Sequence, residues 1–98
     1  KIAIVSGASS GLGREFVCLL DKQEKLDEIW CIARSKEKLI DLQKSVTTSL
    51  RLLSYDLTQK ESIYAVQAVL EKEAPDVKFL INAAGIGKIG SLLFSACH

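Results

Sequence analysis

Between residues 6 and 13 the chain reads Ser6-Gly7-Ala8-Ser9-Ser10-Gly11-Leu12-Gly13, and this loop sits where one periodicity gives way to another. Ahead of it, Ile2-Ala3-Ile4-Val5 is an unbroken apolar run, the pattern of a strand covered on both faces. Behind it, Leu12, Phe16, Leu19 and Leu20 recur at helical spacing and predict an apolar stripe along a first helix. A strand that passes into a helix through glycines has few folds open to it. Gly7 can take the positive φ of a tight strand-to-helix turn. Gly11 carries no side chain where backbone must approach an anion, and Gly13 allows the helix to pack close against the strand. The amides of the first helical turn lack intrahelical partners and stand at the positive end of the helix dipole. A pyrophosphate is well received there.

The alternation continues. Ile29-Trp30-Cys31-Ile32-Ala33 reads as a second strand, Lys36 to about Val46 as a second helix with Leu39, Ile40 and Leu42 apolar, and Leu50-Arg51-Leu52-Leu53-Ser54 as a third strand. Thr58 with Glu61 three residues on has the form of a capping box opening a third helix, whose inner face is Ile63, Val66, Val69 and Leu70. Pro75 and Asp76 stop that helix, and Val77 to Ala83 forms a fourth strand. Strand and helix in strict alternation predict a parallel sheet with crossover helices. The expected class is α/β, the N-terminal part of a doubly wound (Rossmann) sheet with strand order 3-2-1-4, truncated. Residues 1–98 are expected to be one incomplete NAD(P)-binding domain. The absence of methionine predicts a piece of something longer.

Composition removes several classes of function. A net charge of +1, with basic residues scattered along the chain, gives no nucleic-acid footprint and no patch for an acidic membrane. No apolar run approaches the ~20 residues that span a bilayer. Cys18, Cys31 and Cys97 are odd in number and have no CxxC spacing, as expected of reduced, buried thiols, and this points to a cytoplasmic location. Gly7-Ala8-Ser9-Ser10-Gly11 also fits the G-x-S-x-G elbow of a hydrolase, but the single histidine is the last residue, His98, and no oxyanion segment accompanies it. Gly87-Lys88 is followed by Ile89, not by the Ser or Thr of a phosphate-binding P-loop. Metal-ligand clusters are lacking.

The spacing of Gly7, Gly11 and Gly13 is G-x₃-G-x-G rather than G-x-G-x-x-G. Together with Asp56-Leu57 after the third strand and Asn82-Ala83-Ala84-Gly85 closing the fourth, it resembles the short-chain dehydrogenase/reductase family, whose glycine motif is T/S-G-x-x-x-G-x-G. The resemblance implies hydride transfer between a nicotinamide cofactor and a small carbonyl or alcohol substrate, in a parent enzyme that is homo-oligomeric. It assigns cofactor binding to Gly7, Ser9, Ser10, Gly11, Leu12 and Gly13 in the loop, to Asp56 (at the adenine amino group) and Leu57, and to Asn82, Ala83, Ala84 and Gly85, with Asn82 partly a brace of the sheet. Asp56 is also explained as a carboxylate favoured near a helix start, and Asn82 as a strand-ending turn residue.

Cofactor choice is read from the residues themselves. About 20 residues past the last glycine an acid would hold the ribose 2′-hydroxyl of NAD, whereas an Arg suits a 2′-phosphate. Here that stretch is Ala33-Arg34-Ser35, so Arg34 and Ser35 favour NADP(H) over NAD(H), with Arg14 a second candidate cation. The family's Tyr acid/base has a Lys four residues after it and a Ser partner. Tyr55 and Tyr64 are followed at that spacing by Gln59 and Ala68, so no catalytic residue is assigned and this chain alone is expected to be inactive. A non-catalytic nucleotide-binding remnant is the alternative reading.

With no fifth strand beside it, the apolar fourth strand would form a flat hydrophobic edge that invites pairing with other chains. A polypeptide of residues 1–98 is therefore expected to be marginally stable and to self-associate. A sharp, reversible melting transition of a monomer, followed by calorimetry with light scattering, would refute this.

Overall fold

The computed structural model describes residues 1–9 and 11–83. The elements run β1 (Ile2–Ser6), α1 (Gly11–Gln23), β2 (Glu28–Ala33), α2 (Lys36–Ser45), β3 (Leu50–Ser54), α3 (Lys60–Glu73) and β4 (Val77–Asn82). The four strands form one parallel sheet in the order β3-β2-β1-β4, as the alternation predicts. β1 is central and buried at every position, which is why its run of Ile2-Ala3-Ile4-Val5 shows no polar alternation.

The pleat sorts the apolar residues into two cores. Ala3, Val5, Ile29, Cys31 and Ala33 face one way and pack with Val17 and Leu20 of α1 and Leu39 and Leu42 of α2. Ile2, Ile4, Trp30, Ile32 and Leu53 face the other way and pack with Val66 and Leu70 of α3. The sheet is thus a middle layer between two helices and one. Burial pushes the Cys31 thiol up to about 12, so it is an inert packing residue.

Three local expectations are corrected. The inward stripe of α1 is Gly13, Val17 and Leu20, while Leu12 and Leu19 are 60% and 48% exposed. The helix begins at the glycine loop, and the residue turned onto the sheet there is the one with no side chain. Ile40 of α2 is likewise turned outward. The capping box at Thr58 does not form: α3 starts two residues later, Gln59 is its N-cap without a side-chain bond, and the Thr58 hydroxyl turns back to Asp56. At its other end α3 stops at Ala74, a non-glycine residue in the left-handed region at φ 42°.

β4 is the last strand of the sheet among the described residues, and its burial alternates along its length. Phe79 and Ile81 pack under α1, whereas Leu80 is 42% exposed. The register against β1 slips between Ile2 and Ala3, so that Lys78 is skipped, and Lys78 pairs with Glu24 at 2.9 Å. Among the described residues no helix is long and apolar enough to cross a membrane.

One carboxylate ties the helical layer to the sheet's far edge. Asp21, near the end of α1, accepts from the Thr48 hydroxyl and amide at 2.6 and 2.7 Å and from the Thr47 amide and hydroxyl at 3.1 and 3.0 Å. The Thr48 hydroxyl is the main reason that its carboxyl is held down at about 2, below its ordinary 3.8. A depressed carboxylate contributes stability that is complete above the ordinary value and lost as pH falls through the folded one. Asp21→Ala is expected to cost about 1–2 kcal/mol near neutral pH, because several charge-assisted bonds vanish at a partly exposed site. Urea titrations should show this difference shrinking between about pH 4 and pH 2; a difference that stays constant over that window would exclude the role.

Candidate functional site

The crossover from β1 to α1 is fixed by backbone contacts. Gly7 adopts φ 72°, a conformation that a residue with a side chain rarely takes. The Gly7 and Ala8 amides both donate to the Ile32 carbonyl, at 2.8 and 3.4 Å, which pins the loop to the end of β2. These two amides are committed to the fold; the first turn of α1, whose amides lack intrahelical partners, carries no acidic side chain.

The other two glycines differ from one another. A Cβ at Gly13 would lie 2.0 Å from the Gly7 carbonyl oxygen and 3.0 Å from the Ala8 Cα, so this glycine is demanded by the packing of helix on loop. A Cβ at Gly11 would meet nothing within 4 Å. The fold does not require that glycine, and the missing side chain leaves open room beside the helix start.

Beside the loop, at the carboxyl ends of the strands, lies a cleft of about 420 Å³ lined by Gly7 and Ser9, by Ile32, Ala33 and Arg34 at the end of β2, by Tyr55, Asp56, Leu57 and Thr58 after β3, and by Ala83 after β4. A crevice at the carboxyl ends of a sheet whose strand order reverses is where open α/β folds take their ligands. The ends of β2 and β3 are stitched together across it: the Tyr55 amide donates to Ala33 and the Ser54 hydroxyl to the Arg34 carbonyl. Asp56 and Arg34 share the cleft. The Asp56 carboxyl lies below its ordinary range, chiefly because the Thr58 hydroxyl and amide donate to it, with the positive charge of Arg34 a smaller cause.

Of the residues singled out from the sequence, Gly7, Ser9, Arg34, Asp56, Leu57 and Ala83 are brought together in this cleft. Leu57 is also buried in the α3-side core, so its side chain has a packing role. Gly11 borders a different groove, along the outside of α1, and Gly13 is sealed beneath the loop. Leu12 is exposed on the first turn of α1. Ser35 is the N-cap of α2 and accepts from the Lys38 amide. Asn82 accepts at 2.8 Å from the hydroxyl of Ser6, which is 1% exposed, and so locks the end of β4 to the end of β1. Ser6 was not among the singled-out residues, although its place before Gly7 was the available signal. Arg14 does not line the cleft: its Nη2 donates to Ser45 of α2 at 3.1 Å. Tyr55 and Thr58 line the cleft with no motif to announce them. Ser10, Ala84 and Gly85 lie outside the described residues.

Sheet order, crossover and cleft together define a Rossmann-like fold. Solved structures share it. A short-chain dehydrogenase from Sphingobium yanoikuyae in complex with NADPH superposes with a TM-score of 0.79 at 21% identity, covering 98% of this chain and 46% of that one. A metagenomic short-chain oxidoreductase in complex with NADP gives 0.79 at 21% identity, covering 98% of this chain and 54% of that one. The short chain dehydrogenase family matches residues 1–96, and the chain belongs to that family. Among its relatives are human (Homo sapiens) epidermal retinol dehydrogenase 2, 32% identical over 88 residues, and an NAD-dependent glycerol dehydrogenase of Listeria innocua, 33% identical over 87. Each alignment covers 88% of this chain but only 28% and 33% of the respective relative, so the chain spans about a third of their length.

The contrast between the glycines is directly testable. Gly13→Ala is expected to cost about 1–3 kcal/mol, since helix or loop must move to admit the methyl group. Gly11→Ala should leave the melting temperature unchanged or slightly raised and weaken nicotinamide-nucleotide binding by about tenfold or more. Retention of full affinity in a folded Gly11→Ala protein would remove the loop from the binding site.

Proposed function

We propose that this chain is the cofactor-binding part of an NADP(H)-dependent oxidoreductase that exchanges hydride between the cofactor and a small carbonyl or alcohol, within a homo-oligomeric cytoplasmic enzyme. The nicotinamide, when bound, supplies or accepts the hydride. The residues described here bind and orient. The first turn of α1 receives the diphosphate, Gly11 leaves room for it, and Asp56 takes the adenine end of the cleft. Arg34 and the Ser35 hydroxyl, which keeps a proton to donate while it accepts from Lys38, meet the 2′-phosphate. Ser6 and Asn82 hold β1 and β4 in register beneath the loop, so that its amides keep a fixed place.

The choice of NADP(H) rests on one observation: the charged residue that lines the cleft just after β2 is Arg34, with no carboxylate at that strand end. The proteins it resembles do not share one cofactor. Two of the superposed structures hold NADPH or NADP, while the Listeria relative is NAD-dependent, so this chain's own residues must decide. Arg34 is exposed at the cleft and, among the described residues, forms no ion pair of the kind that occupies Arg51 and Lys78. A planar fork of donors in that position matches a phosphate and gives little to a neutral hydroxyl pair.

Titration by calorimetry should show tighter binding of NADPH than of NADH. Arg34→Ala should weaken NADPH by about 10- to 100-fold and leave NADH within about twofold, the loss expected for a charge-assisted contact to phosphate. Equal affinity for the two cofactors in the unsubstituted chain, or indifference of NADPH to the substitution, would overturn the reading.

A further inference from the structure

Two surfaces away from the cleft are apolar, exposed and adjacent. On α1, Leu12, Phe16, Leu19 and Gln23 recur at steps of four, three and four residues, the spacing of a coiled-coil seam. Leu12 and Leu19 are exposed and Phe16 is half-buried. With about 100° between successive residues, this seam lies on the flank of α1 opposite Arg14 and Asp21, whose side chains reach the α2 side at Ser45 and at Thr47 and Thr48. It therefore looks out over β4. The second surface is β4 itself, which among the described residues pairs with β1 alone. The Ala83 amide donates to Ser6 of β1, so by the alternation along a strand the amide and carbonyl of Leu80 turn to the other edge.

We infer that this flank of α1 and this edge of β4 form one self-complementary surface, which takes a second copy of the 98-residue chain across a two-fold axis. Antiparallel pairing of β4 with β4 of the second copy, centred on Leu80, sets Leu80 against Leu80 on one face and Phe79 against Ile81 on the other. Lys78 then stands opposite Asn82, so no like charges meet. α1 touches both β1 and β4, with Phe79 and Ile81 beneath it. Strands about 4.8 Å apart therefore bring the two α1 axes to about 10 Å, the distance at which helices pack. The same axis makes the helices antiparallel, so that Phe16 meets Leu19 of the second copy and Leu12 meets Gln23. Glu15 and Lys22 border the seam, are exposed and, among the described residues, form no ion pair. The axis brings Glu15 of each copy towards Lys22 of the other, whereas a parallel arrangement would set like charges together. Each copy offers and receives the same patch, so the contact closes at a dimer. None of these residues lines the cleft, and the inference stands apart from the cofactor reading.

Sedimentation equilibrium of the full chain, without cofactor, should show monomer and dimer and nothing larger. Leu19→Glu puts a carboxylate into the seam and should weaken the dimer by about 100-fold or more, with helix content and the emission of the buried Trp30 unchanged as the check that the fold is intact. Glu15→Lys or Lys22→Glu alone should weaken it by about three- to tenfold, and the two together, which exchange the charges, should restore it. Leu80→Cys should link the copies covalently on mild oxidation, since the paired Cα atoms would lie about 5.5 Å apart; Ile40→Cys, on the exposed side of α2, should not. A chain that stays monomeric at every concentration, with residues 84–98 taking the flank instead, overturns the inference. So does association into ever larger species, a dimer that Leu19→Glu leaves intact, or one that Leu80→Cys fails to link.

Discussion

The structure depends on the contact of α1 with the loop that leads into it. Gly13 sits against the Gly7 carbonyl with no space for a methyl group, and the amides of Gly7 and Ala8 are taken up by β2. Two glycines and one carbonyl oxygen thereby decide how close the helix lies to the sheet and where its first turn points. That closeness explains the small side chains beneath it, Ala3 and Ala8, in the same core as Val17 and Leu20. The same loop, through Gly7 and Ser9, lines the cleft at the carboxyl ends of the strands. Fold and cleft have the same origin.

Around that point the chain uses polar side chains mainly as fasteners. Asp21 anchors the turn before β3, Ser6 and Asn82 join β1 to β4, Ser54 holds the backbone of Arg34, and Ser35 caps α2. Few of these bonds touch the cleft itself. They fix the strand ends that present Arg34 and Asp56, and a site assembled from three strand ends has no other means of keeping its parts in register.

Much of this was legible in the sequence, and the reasons are physical. Apolar runs that are buried on both faces and separated by helical stripes specify a parallel sheet with little ambiguity, and the order β3-β2-β1-β4 followed. The errors fall where two rules compete. In α1 the apolar spacing points to Leu12, Phe16, Leu19 and Leu20, of which Leu20 is buried while Leu12 and Leu19 are exposed; glycine scores as neither apolar nor inward, yet Gly13 is the residue pressed onto the loop. At Thr58 the capping-box pattern was present but the hydroxyl had a nearer carboxylate, Asp56, to bond. Arg34 leads and Arg14 stands second as candidate cations in the sequence; the fold shows that Arg14 is bonded to Ser45 while Arg34 lines the cleft. Tyr55 could not have been found, since its place depends on how β2 and β3 end side by side.

Trp30 is the only tryptophan of the chain, and its indole is 2% exposed in the core beneath α3, with the Arg51 guanidinium 4.8 Å from the ring centre and paired in turn with Glu73. The protein therefore carries a built-in optical reporter for one side of its sheet alone. Intrinsic emission follows the packing of α3 on β2 and β3 and is blind to loosening of α1 on the opposite side, so the two halves of the core can be watched separately in a molecule that needs no added label.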